Sequence, residues 1–113
     1  MPGPYVPDVG DIVWLEFDPQ SGHEQAGHRP ALVLSPAIYN RKTSLMVCCP
    51  LTSQVKHHPF EVETRVGGVH SAILTNHVKS LDWKARKAKF KEKVSADALD
   101  ETRAKLRALL LLN

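Results

Sequence analysis

Residues 22–36 read GHEQAGHRPALVLSP, a polar loop that continues into a short apolar segment between two prolines. A proline cannot donate to a strand ladder and tends to stand where a strand starts or stops, so a buried strand is predicted over residues 31–34. The loop then brings three functional side chains to one strand end, namely Glu24, His28 and Arg29. A carboxylate, an imidazole and a permanent cation together favour phosphate chemistry over carbohydrate or acyl chemistry.

Short β-type segments separated by polar turns surround this stretch. Residues 11–17 are apolar on both faces, which predicts a central strand. Residues 60–64 alternate, so their apolar side chains should point inward and their acidic ones outward. Further strands are predicted over residues 45–51, 71–75 and 78–81, with a polar turn at residues 40–44 and a tight hairpin turn at Gly67-Gly68.

The last segment changes to a helical period. Ser95 is a good helix cap, and Asp97 in the first turn favours the helix dipole. One face of this segment carries Leu99, Thr102, Leu106, Leu109 and Leu110. The sequence therefore predicts a mainly β protein with a C-terminal helix over residues 95–112. A small, partly open barrel forms one domain over residues 1–113, and residues 1–9 form an irregular arm.

Size, charge and cysteine content limit the possible classes of protein. The 113 residues suffice for one core and leave no room for a separate cofactor domain, and the formal charge of +3 suits an anionic partner. Cys48 and Cys49 are neighbours on a predicted strand, so their thiols diverge and are expected to be buried and free, as in a reducing cytoplasm. The N-terminus has no signal-peptide pattern, and the longest aliphatic run, residues 109–112, is too short to span a membrane.

Two charged features have an ordinary explanation beside a functional one. The six histidines include an adjacent pair, His57-His58, and a pair five apart, His23 and His28; neither has the spacing of a zinc motif, so no metal site is predicted. Residues 84–93 carry six cations and one acid, and on a strand Lys87, Lys89, Lys91 and Lys93 would share one face. Such a basic ribbon is either a solvated face or a contact for a phosphate backbone.

Arg29 also has two interpretations. An arginine just before an apolar strand is commonly a surface residue or the partner of a nearby acid. Thr52, however, follows Pro50 at the end of a different strand. Two strand ends with a guanidinium and a hydroxyl could together surround a phosphate, since the guanidinium fork matches two of its oxygens.

Several motifs occur in one order along the chain: Gly-His-Arg-Pro at residues 27–30, Pro-Leu-Thr-Ser-Gln at residues 50–54, and flanking blocks at residues 10–14, 17–19, 34–36, 59–62 and 78–80. In these motifs and their separation the chain resembles the MazF/PemK family of toxin endoribonucleases, from about Tyr5 to the terminal helix. The resemblance implies an SH3-like barrel of the PemK/CcdB type that assembles as a homodimer.

The resemblance also implies the toxin of a type II toxin–antitoxin system. Such a toxin cleaves single-stranded RNA, chiefly mRNA, at short sequences and without a metal or other cofactor. The 2′-hydroxyl attacks, which leaves a cyclic phosphate and a 5′-hydroxyl. Its partner would be a MazE-like antitoxin whose acidic C-terminal tail competes with RNA.

The family's site residues transfer to this chain by motif. The catalytic arginine and threonine correspond to Arg29 and Thr52, and the loop glutamate that influences activity corresponds to Glu24. His28 is a further candidate acid or base. Residues of the RNA-binding groove correspond to Gln25, Ser53, Gln54, Lys56, Asn76, His77 and Lys79. Asn76-His77 replaces the Asp-Gln common in the family, so the resemblance does not extend to a cut-site preference.

Two other functions fit the same fold. One is a CcdB-like toxin that binds DNA gyrase without catalysis, but those proteins use a Trp-Gly-Ile tail whereas this chain ends Leu-Leu-Leu-Asn. The other is an RNA-binding barrel that does not cut. The Arg29 and Thr52 pair favours the nuclease.

Overall fold

The computed structural model describes residues 3–16 and 28–112. Within them lie seven strands, two α-helices and one 3-10 turn (Thr75–His77). The helices are α1 (Ala37–Thr43) and α2 (Ala96–Leu110). The strands are β1 (Asp11–Glu16), β2 (His28–Val33), β3 (Leu45–Thr52), β4 (Glu61–Val66), β5 (Val69–Leu74), β6 (Lys79–Asp82) and β7 (Lys89–Lys93).

All strand pairs are antiparallel, in the order β4-β5-β3-β2-β1-β7. Strand β3 pairs with β2 along one edge. Along its other edge, the first half of β3 pairs with β6 and the last two residues of β3 pair with β5. This exchange of partners divides the sheet into two halves that curl toward each other, as in an SH3-like barrel. The mainly β prediction and the central place of β1, between β2 and β7, are both confirmed.

The core has one apolar cluster on each face of the sheet, because neighbouring strand residues point to opposite faces. Ile12 and Leu32 belong to one cluster, and Val13 and Val33 to the other. Helix α2 covers the first cluster, and the Ser95 hydroxyl accepts a hydrogen bond from the Ala98 amide at 3.2 Å, which confirms the predicted cap. The helix ends at Leu110, within the expected segment.

The predicted turn at residues 40–44 is wrong, because Asn40 lies inside α1. The Asn40 side chain is buried and bonds to the Ser35 hydroxyl (2.6 Å) and to the Pro7 carbonyl (2.8 Å). The Trp83 indole donates to the Asn40 carbonyl at 2.8 Å. These partners explain why a polar residue that suggests a turn is instead the buried residue of a largely exposed helix.

The predicted basic ribbon is also wrong in part. Only residues 89–93 form a strand, and Lys87 lies before it with a positive φ of 53°. The β1–β7 register shifts between Ile12 and Val13, so one lysine face does not continue along β7. Lys93 pairs with the buried Asp11 carboxylate, while the Lys91 ammonium lies 5.4 Å from the centre of the Trp14 ring.

Both cysteines are buried and free, as predicted. Burial raises the pKa of the Cys48 thiol to about 11 and that of Cys49 to about 12, so both remain protonated at neutral pH. In the described part of the chain, no helix is both long and apolar enough to cross a membrane.

Candidate active site

The strand registers place Arg29 and Thr52 on the same face of the sheet. Ala31 pairs with Pro50 across β2 and β3, and the side chains of residues two apart on a strand share a face. Arg29 therefore shares a face with Ala31, and Thr52 with Pro50. Both residues also line one cleft, so a single ligand there can reach the guanidinium and the hydroxyl.

A cleft of about 380 Å³ opens on this face, here called the Arg29 cleft. Its floor is apolar and includes Leu15, Ala31 and Leu81. Its polar lining includes six residues that the sequence analysis proposed, namely Arg29, Thr52, Gln54, Lys56, His77 and Lys79. The three cations of this lining, Arg29, Lys56 and Lys79, outnumber its one carboxylate, Glu61, and together with the apolar floor they fit an anionic ligand with planar apolar parts, such as a nucleotide.

The Thr52 hydroxyl has a defined orientation. Its oxygen accepts a hydrogen bond from the Gln54 backbone amide at 3.1 Å. Because a hydroxyl accepts and donates at once, this bond leaves the Thr52 hydrogen able to donate to a phosphate oxygen. Thr52 is half-buried and Arg29 is exposed at the strand end, so a ligand can reach both.

Glu61 holds the loop that carries Gln54 and Lys56. Its carboxylate accepts hydrogen bonds from the backbone amides of Lys56 (3.0 Å) and His57 (2.8 Å), and His58 Nε2 lies 3.5 Å away. The Glu61 side chain is only 2% exposed. The predicted outward direction of this acid is therefore wrong: the loop amides need a buried acceptor, and Glu61 supplies it.

A second cleft of about 560 Å³, here called the Trp14 cleft, adjoins the first at Arg29, Pro30, Leu51, Thr52 and Gln54. It is lined by Trp14, His28, Ser53, Val69, Ser71 and Lys91, among others. His28 precedes Arg29 on β2 and so points to the opposite face. Its Nε2 lies 3.9 Å from a Glu16 carboxylate oxygen, and its ring centre lies 6.3 Å from that of Trp14.

The remaining proposed site residues are placed elsewhere. Asn76 is exposed on the 3-10 turn and, among the described residues, does not belong to the lining of either cleft. Glu24 and Gln25 lie outside the described residues. Over residues 3–16 and 28–112, no three His, Cys, Asp or Glu side chains are grouped so that they could hold a metal ion.

Sequence reasoning missed Glu61, Trp14 and Lys91. Glu61 follows the alternation of an exposed acid, and Trp14 lies between core residues of a central strand. Lys91 belonged to a charge run whose face could not be assigned without the register shift. None of the three carried a signal in the sequence that would have identified it as part of a cleft.

Comparisons with known proteins agree with this arrangement. The family described as "PemK-like, MazF-like toxin of type II toxin-antitoxin system" matches residues 8–110. The chain is 47% identical over 106 residues to a protein named endoribonuclease toxin MazF from Escherichia coli strain K12, covering 94% of this chain and 96% of that protein.

Solved structures give the same result. The crystal structure of MazF (Form-I) from Deinococcus radiodurans matches with a TM-score of 0.82 and 54% identity, over 95% of this chain and 98% of that one. A chain from the MazE-MazF (Form-II) crystal structure of the same organism matches with a TM-score of 0.86 and 47% identity, over 97% of this chain and all of that one (100%).

Proposed function

The chain belongs to the PemK-like, MazF-like family of type II toxin–antitoxin toxins, and on that premise we propose that it cleaves single-stranded RNA with Arg29 and Thr52 as catalytic residues. The protein is an endoribonuclease toxin. The observation that supports the residue assignment is that Arg29 and Thr52 line the same cleft, together with Lys56 and Lys79. This pairing favours the nuclease over the gyrase-binding toxin and over a barrel that binds RNA without cutting it.

In the proposed reaction the RNA supplies its own nucleophile. The 2′-oxygen forms a bond to phosphorus and loses its proton, the bond from phosphorus to the 5′-oxygen breaks, and that oxygen gains a proton. The products are a cyclic phosphate and a 5′-hydroxyl. Arg29 donates to the nonbridging oxygens as charge develops on them, and the Thr52 hydroxyl donates to one of the same oxygens.

The proton carriers are assigned by chemistry. Arginine is a poor base because its pKa lies above about 12, so Glu24 is the proposed acceptor of the 2′-hydroxyl proton. Glu24 lies outside the described residues. The proposed donor of a proton to the 5′-oxygen is His28, which lines the Trp14 cleft together with Arg29 and Thr52.

Charge in the Arg29 cleft supports a reaction without a metal. Lys56 and Lys79 line it together with Arg29, and the nearby carboxylate of Glu61 already accepts two backbone amides. The three cations can stabilise the negative charge of the pentavalent intermediate. Gln54 and His77 belong to the same lining, and Ser53 lines the adjoining Trp14 cleft. A contact between Asn76 and RNA stays a prediction.

The protein is proposed to act in the cytoplasm as a homodimer. Ile38 is 62% exposed and Leu110 is 54% exposed, and such apolar side chains are surface that a second copy of the chain would cover. The proposed second partner is a MazE-like antitoxin, since the Deinococcus relative is known as a MazE-MazF complex. Its acidic tail would occupy the cationic Arg29 cleft in place of RNA.

The test is cleavage of a mixed single-stranded RNA in the presence of EDTA. The wild-type protein should cut it, and Arg29→Ala should cut about 10²–10³-fold more slowly, as expected when one preorganised contact to a developing charge is lost. Arg41→Ala is the matched control, because Arg41 is an exposed cation on α1 that lies outside both clefts. Equal rates for wild type and Arg29→Ala would refute the residue assignment, and loss of cutting in EDTA would refute the metal-independent reaction.

A further inference from the structure

The Trp14 cleft exposes part of a large aromatic ring close to the proposed phosphate site. On β1, Ile12 is buried in the core under α2, whereas Trp14 points the same way two residues later and is only half-buried. Trp14 pairs with Pro30, the residue after Arg29. The indole is thus anchored by a central strand on one side of β2, while Arg29 and Thr52 leave from the other side.

The cleft keeps a cation against this ring. Lys91 Nζ lies 5.4 Å from the centre of the Trp14 ring and 3.9 Å from a Glu92 carboxylate oxygen. The same Glu92 oxygen accepts a hydrogen bond from the Gly67 amide at 2.7 Å, which ties the β4–β5 turn to β7. A Cβ at Gly67 would lie 3.0 Å from Lys91 Nζ, so a glycine there leaves the room that the lysine occupies.

We propose that the Trp14 cleft binds a nucleobase of the RNA, stacked on the Trp14 indole beside the phosphate held by Arg29 and Thr52. This inference rests on the proposed function and adds a base-binding subsite to it. Stacking on an aromatic side chain tolerates any base, and Lys91 would contact the adjoining phosphate. The hydroxyls of Ser53 and Ser71, in the same lining, can bond to base edges.

RNA is the occupant that the geometry favours, because the two clefts adjoin each other. Arg29 and Thr52 belong to the lining of both, so a nucleotide whose phosphate contacts these two residues has the Trp14 cleft next to it. One cleft then holds phosphates and the other a base. An aromatic side chain of a protein partner is the competing occupant, and the test separates the two.

The test uses RNA with a mapped cut site and a 2′-deoxynucleotide 5′ of the scissile phosphate, which prevents the proposed reaction. Trp14→Leu should raise the dissociation constant of this RNA by about 5- to 100-fold, the range expected for loss of one stacked base. Trp14→Phe should raise the dissociation constant less than Trp14→Leu does. Lys91→Gln should also raise it, and its RNA binding should depend less on salt than that of the wild type. Phe90→Leu is the matched control: Phe90 is an exposed aromatic residue on β7 that points away from the Trp14 cleft.

Fluorescence gives an independent readout that needs no change at Trp14. The sequence has two tryptophans, Trp14 and the buried Trp83, so Trp83→Phe leaves Trp14 as the one indole. Added RNA should quench the emission of this indole. Unchanged emission, or wild-type affinity in Trp14→Leu, would overturn the base site. The base site would also be overturned if Trp14→Leu bound RNA with wild-type affinity and lost only its binding of an acidic antitoxin peptide. Failure of the proposed function looks different, because the wild-type protein itself would then not cut or bind RNA.

Discussion

Removal of the Glu61 carboxylate should loosen the loop that lines the Arg29 cleft. In Glu61→Ala the amides of Lys56 and His57 lose their acceptor, and each buried unpaired amide costs about 1–3 kcal/mol. Water can enter the space that the side chain leaves and bond to the amides. We therefore expect the free energy of unfolding to fall by about 3 kcal/mol, in the lower part of the range for two amides. For a domain of this size that corresponds to a fall in Tm of about 12 °C. Glu61→Gln keeps one acceptor oxygen and should lose about 1–2 kcal/mol.

The effect should also appear in RNA cleavage below the unfolding temperature. Gln54 and Lys56 would no longer be held against the cleft, so KM should rise more than kcat falls, and Glu61→Gln should recover part of the loss. Urea unfolding and steady-state cleavage at low temperature measure the two effects separately. The control is Asp100→Asn, which changes an exposed carboxylate on α2, away from this loop. The reasoning is refuted if Glu61→Ala unfolds within about 0.5 kcal/mol of wild type, the usual spread for surface substitutions.

Three further predictions follow from charge and burial. The pKa of Glu63 is lowered from its ordinary 4.5 by hydrogen bonds, chiefly from His70 and next from His57. The ionised carboxylate therefore stabilises the fold above pH 4.5, and this stabilisation is lost as the pH falls through the lowered pKa of the folded state. Between about pH 5 and 3, the free energy of urea unfolding should therefore fall more for the wild type than for Glu63→Gln. Equal falls would contradict this prediction. Cys48 and Cys49 should react with a thiol reagent at neutral pH only after denaturation, and fast labelling of the native protein would show that they are accessible. An acidic antitoxin-tail peptide should displace uncleavable RNA from the Arg29 cleft, less effectively as salt rises; a peptide that blocks cleavage while RNA stays bound would rule out competition.

Much of the fold could be predicted because its signals are local. The two-sided apolar pattern of residues 11–17 identified the central strand, and Ser95 identified the start of α2. Arg29 and Thr52 could be proposed as a pair because each lies at the end of a strand that contains a proline. Their position on one face of the sheet needed the strand registers, which local sequence does not encode.

The errors come from contacts with residues outside the segment whose pattern was interpreted. Asn40 is helical because Pro7 and Ser35 satisfy its amide, and Glu61 is buried because loop amides surround it. Lys91 leaves the expected basic face because of one register shift beside Ile12. In each case the alternation or the polarity was interpreted correctly for an isolated segment, and the tertiary partner changed the outcome.

The most direct test of the account concerns the nucleophile. Two RNAs with the same mapped cut site would be incubated with the protein in EDTA, one entirely of ribose and one with a single deoxyribose 5′ of the scissile phosphate. If Arg29 and Thr52 stabilise attack by the 2′-oxygen, the first RNA gives a cyclic phosphate and a 5′-hydroxyl, and the second stays intact although it binds. Cleavage of the deoxy-substituted RNA at that phosphate would mean that water attacks, and it would contradict the account.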